Sequence, residues 1–79
     1  MLYYVYIIKS LKDNKYYIGQ TSNLDKRLLV HNNGCVSSTK NRRPFIVVYK
    51  EEFNSKTEAI KKENAIKKYK NTEKFLAYR

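Results

Sequence analysis

Residues 3 to 8 read Tyr-Tyr-Val-Tyr-Ile-Ile, and strand alternation sets Tyr4, Tyr6 and Ile8 on one face and Tyr3, Val5 and Ile7 on the other. Both faces are apolar, which suits the centre of a sheet rather than a wet edge. Lys12 to Lys15 form a turn, and Tyr16-Tyr17-Ile18-Gly19 returns as a second strand, so residues 3 to 19 read as a hairpin. Ser22 or Asn23 caps a helix from about Leu24 to His31, which Asn33-Gly34 stops. A polar, basic loop over 34 to 44 leads through Pro44 into a third strand, Phe45 to Tyr49, apolar enough to be well buried. Ser55 with Glu58 makes a capping-box pattern for a second helix through Tyr69, and Thr72 to Tyr78 suggests a short last helix. The order is ββαβα(α): an α+β (α/β) fold with one three-stranded, mainly antiparallel sheet flanked by helices.

A chain of 79 residues holds a single domain, 1–79, close to the size at which one hydrophobic core only just suffices. With one cysteine, Cys35, and one histidine there is no intrachain disulfide and no ligand set for structural zinc, so packing alone must hold the core. Lys9 ends the N-terminal apolar run and no cleavage site follows, so neither a signal peptide nor a membrane span is expected, and the cytoplasm is the default location. Seventeen Lys and Arg against seven Asp and Glu leave a formal charge of +10, which attracts polyanions. Charge alone does not separate nucleic acid from a solubilising coat or a membrane-surface patch.

On the helical wheel Ala59, Ile60, Glu63 and Ile66 fall on one arc of the second helix, so Glu63 is expected within the apolar stripe. A carboxylate there should meet a cation, a metal ion or a cleft, and a structural ion pair with one of the many lysines is the plain alternative to a functional role. Arg27 and His31 share the edge of the first helix that carries Leu24 and Leu28. Arg27 suits a phosphate oxygen but also suits a solvated helix face, and a lone histidine is usually a polar surface group. Eight tyrosines are unusual; most serve as strand and core residues, yet a phenol beside a metal-bound water and a cation can move protons.

These fragments, in this order, resemble the GIY-YIG nuclease superfamily, which includes DNA-repair incision subunits, intron-homing endonucleases and some restriction enzymes. Tyr4-Val5-Tyr6 is similar to the first motif and Tyr17-Ile18-Gly19 to the second, followed by Arg27, His31 and Glu63 on the elements that the family uses. Length and the Tyr-Val-Tyr variant point to the small stand-alone bacterial members. The resemblance implies a metal-dependent endonuclease in which Glu63 ligates Mg²⁺ or Mn²⁺, Arg27 contacts the scissile phosphate, Tyr6 and Tyr17 flank the attacking water, and His31 supports them. One matching acid fits a one-metal mechanism. Lys40, Arg42, Arg43 and Lys67 are the expected phosphate contacts, with DNA a better candidate than RNA. The sequence departs from the family pattern at Tyr4, where many members have glycine, at Gln20, where repair nucleases often have lysine, and in lacking an asparagine after the glutamate helix. A non-catalytic nucleic-acid-binding module on the same fold is the alternative; covalent attack by a tyrosine is a third reading that no residue marks.

Overall fold

The computed structural model describes residues 2–34, 40–69 and 72–78. The elements are β1 (Tyr3–Ser10), β2 (Tyr16–Thr21), α1 (Leu24–Asn32), a 3₁₀ turn (Lys40–Arg42), β3 (Phe45–Phe53), α2 (Lys56–Lys67) and α3 (Thr72–Tyr78). The sheet order is β2-β1-β3, both pairings antiparallel. The doubly apolar segment is indeed the central strand: Val5, Ile7 and Ile8 are wholly buried and Tyr6 is 1% exposed. Burying each such side chain stabilises the fold by about 1.5–3 kcal/mol.

Alternation along β1 divides the core into two. Val5 and Ile7 meet Ala59, Ile66 and Phe75 of α2 and α3 on one side of the sheet. Tyr6 and Ile8 meet Phe45, Leu24 and Leu28 on the other, beneath α1. Asn23 is the N-cap of α1, its side chain accepting from Lys26 N at 3.1 Å. Ser55 caps α2 by accepting from Glu58 N at 3.2 Å.

Three sequence expectations change. β3 runs four residues past Tyr49, through Lys50-Glu51-Glu52 to Phe53, because β1 pairs with it as far as Tyr3↔Phe53. It is also an edge strand, so only Phe45 along it is buried and Ile46 stays 43% exposed. A register shift between Ile7 and Ile8 bulges the strand, and bulges and charges of this kind keep edges from pairing with other chains. Second, α2 stops at Lys67 instead of reaching Tyr69. Third, Ile60 is 39% exposed; it stands about 100° from Ala59 on the wheel, outside the stripe in contact with the sheet.

Ser10 links the hairpin turn to the segment entering β3. Its buried hydroxyl donates to the Arg42 carbonyl and accepts from Lys12 N and Asp13 N. Asn14 takes a positive φ of 61° in the turn, a conformation asparagine tolerates. No helix among the described residues is long and apolar enough to cross a membrane.

Candidate active site

Register brings the two motif tyrosines together. Tyr6 on β1 faces Gly19 on β2, and Tyr17 faces Ile8, so both phenols rise on the α1 side of the sheet. Their ring centroids are 6.5 Å apart, the planes inclined by 30°. Gly19 makes this possible: a Cβ there would stand 2.5 Å from the Tyr6 hydroxyl oxygen.

One helical turn separates Arg27 from His31, so both reach the same phenol. Arg27 Nε donates to the Tyr6 hydroxyl at 3.4 Å, and His31 Nε2 lies 3.3 Å from that oxygen. His31 is wholly buried rather than a surface group, its ring 4.9 Å from Tyr17 and 5.9 Å from Phe45. Burial first, then the Arg27 charge, lowers the pKa of His31 and favours neutral imidazole. Burial likewise pushes the Tyr6 phenol up, against the opposing pull of Arg27. Hydrogen bonding to Tyr6 leads the effects on Arg27, with Tyr17 adding to it, and raises the pKa of an already permanent cation.

Glu63 arrives from α2, which packs on the opposite face of the sheet across β1 and β2. Its charge is nevertheless felt at Tyr6, raising that phenol further. The side chain is only 17% exposed, as the helical stripe requires, and Lys67 Nζ lies 2.6 Å from Oε2. The lysine ion pair weighed for Glu63 therefore exists, and it occupies Lys67, one of the expected phosphate contacts. Among the described residues no three His, Cys, Asp or Glu side chains cluster as a metal cage. A hard divalent ion that keeps most of its waters needs only one or two protein carboxylates, so a mostly buried Glu63 fits such an ion.

The remaining basic residues are dispersed. Arg42 pairs with Asp13 at 3.0 Å and lies over the Phe45 ring, so its guanidinium is part of the turn. Arg43 is exposed and sits against Gly34, where a Cβ would meet its Nη1 at 2.7 Å. The side chain of Lys40, like Cys35, lies outside what the structure describes. A groove of ≈ 980 Å³ along β3, lined by Leu28, Val47 and Phe75 among others, contains none of Tyr6, Tyr17, Arg27, His31 and Glu63.

Sequence reasoning passed over Asn32, whose amide accepts from Phe45 N at 2.7 Å and donates to Phe45 O at 3.2 Å. The side chain thereby acts as a one-residue strand partner that ties the end of α1 to the start of β3. Its only signal was an amide at the end of a helix, which is too common to single out.

Comparison with known proteins shows the family. The family model described as the GIY-YIG catalytic domain matches residues 2–75. UPF0213 protein SH2523 of Staphylococcus haemolyticus is 45% identical over 73 residues, covering 91% of this chain and 88% of the relative. UPF0213 protein YazA of Bacillus subtilis is 39% identical over 75 residues, 94% of this chain and 75% of the relative. The solution NMR structure of UPF0213 protein BH0048 from Bacillus halodurans superposes with a TM-score of 0.59 at 34% identity, over 99% of this chain and 83% of the other. Motif order, the placing of both tyrosines, and these matches together show that the chain belongs to the GIY-YIG family, among its small UPF0213 members.

Proposed function

We propose that the protein is a metal-dependent endonuclease that hydrolyses phosphodiesters in nucleic acid, DNA in preference to RNA, with one Mg²⁺ or Mn²⁺ held by Glu63. The observation that carries this reading is the convergence of Arg27, His31 and Tyr17 on one buried phenol, with the Glu63 carboxylate in electrostatic reach. Binding a polyanion requires none of that; it needs only the surface lysines. In hydrolysis a water oxygen bonds to phosphorus as one ester P–O bond breaks, the water's proton passes to an acceptor, and the departing oxygen gains a proton. Arg27, with Nε held by Tyr6, can turn the outer nitrogens of its fork to the phosphate and stabilise the charge that grows there. Bound at Glu63, the ion would polarise the phosphoryl group and lower the pKa of water.

Plasmid, single-stranded and branched DNA incubated with the purified protein should be nicked or cut in Mg²⁺ or Mn²⁺ and left intact in chelator. Tight binding with no cut in any metal would instead establish the second reading, a non-catalytic nucleic-acid-binding module. That alternative draws on the Glu63–Lys67 pair, which already satisfies the carboxylate.

A further inference from the structure

We propose that Lys67 is a displaceable occupant of the metal position: its ammonium holds the Glu63 carboxylate until a divalent cation takes that place, and the exchange frees the lysine. The proposal rests on the nuclease reading for the metal itself but on the geometry of α2 for the exchange.

Glu63 is a group that calls for a cation at all times. Its side chain is 17% exposed, whereas Asp13 and Glu51, the acids of two other ion pairs, are 32% and 41% exposed. With most of its surface out of water, an unpaired carboxylate loses solvation that nothing repays. Lys67 supplies the charge, its Nζ 2.6 Å from Glu63 Oε2. It stands four residues on in the same helix, the spacing at which two side chains meet.

The tie is easily exchanged. Lys67 is 51% exposed and carries one compact, strongly hydrated charge on a flexible stem. Such a pair shifts an equilibrium by only about two- to fivefold, and a divalent ion brings twice the charge to the same oxygens. No three His, Cys, Asp or Glu side chains gather among the described residues, so the ion would rely on Glu63 and its own waters. A competitor for that single carboxylate therefore weighs directly on metal affinity. Tethered to the same helix, the released ammonium stays beside the metal position, where a phosphate oxygen is its next partner.

Two measurements test the exchange without nucleic acid or cleavage. The first is a Mn²⁺ titration followed by electron paramagnetic resonance of the free ion. Lys67→Met, which keeps the aliphatic stem, should bind Mn²⁺ about two- to fivefold more tightly than Lys61→Met, the worth of the lost pair. Lys61 is an exposed lysine of the same helix, so its variant accounts for the change in net charge. Glu63→Gln should lose the site. The second is competitive acetylation with acetic anhydride, read by peptide mass spectrometry on the unmutated protein: Mg²⁺ should raise the labelling of Lys67 relative to Lys61. In Glu63→Gln, where Lys67 is already released, Mg²⁺ should change nothing. Suppose Glu63→Gln loses Mn²⁺ but Lys67→Met binds it no better than Lys61→Met, or Mg²⁺ leaves Lys67 labelling unmoved. The exchange is then overturned while Glu63 remains the metal ligand. If Glu63→Gln binds Mn²⁺ as the wild type does, the metal site of the nuclease reading fails, and the exchange falls with it. Should Lys67→Met not fold, acetylation of the wild type decides the matter alone.

Discussion

Single side chains carry the sharpest consequences. Glu63→Gln keeps shape but removes the charge that would hold a divalent ion, so metal-dependent cleavage should disappear while circular dichroism stays unchanged and duplex affinity holds or tightens. Unfolding of that variant would make the Lys67 pair the whole role of the residue. At Gly19 the added methyl of alanine would overlap the Tyr6 hydroxyl, so Gly19→Ala should cost about 1–3 kcal/mol in urea unfolding and displace the phenol that holds Arg27. His31 gives a pH signature. Its folded pKa lies below the unfolded value of about 6.5, so the unfolded chain binds the proton more readily. Stability is therefore complete above that value and is lost as pH falls through it toward the folded pKa; melting temperature should drop from pH 7.5 to 5.5, and less so in His31→Gln. Arg27, His31 and Glu63 could be singled out as candidates because each sits at a motif position and Glu63 lies within a helical stripe. The burial of His31 was not, since a histidine on the edge of α1 becomes interior only once Tyr17 and Phe45 close around it.

Elements matter through how they are tied together. α1 carries Arg27 and His31, and its far end is fastened by the paired hydrogen bonds from Asn32 to the Phe45 backbone. Asn32→Ala removes both bonds and leaves a partly buried N–H and C=O to find other partners, a loss of about 1–3 kcal/mol that denaturant unfolding would read. Asn32→Asp, which keeps the acceptor for Phe45 N and gives up the donor, should fall between. The strands, helices and caps could be read locally, because apolar alternation, Asn23 and Ser55 act within a few residues. The length of β3 could not. Lys50-Glu51-Glu52 reads as the end of a strand, and remains in one because β1 pairs alongside it and Glu51 finds Tyr49 and Lys62 at the sheet's edge.

Across the whole molecule a formal charge of +10 should make DNA binding steeply salt-dependent. An anisotropy-measured affinity that did not change between 50 and 200 mM salt, a range in which several phosphate contacts cost orders of magnitude, would rule out a phosphate-backbone interface. Arg42→Ala should leave that slope nearly unchanged, because its guanidinium is committed to Asp13, whereas exposed Arg43→Ala should lower it by about one. Periodicity, caps and charge are local or additive properties, so the order of elements, the central place of β1 and the attraction to polyanions follow from the sequence by itself. Which phenol is enclosed and which arginine is already paired depend on distances between segments far apart in the chain. Those distances exist only after two helical layers have closed over opposite faces of one sheet, and that closure is a property of the tertiary structure.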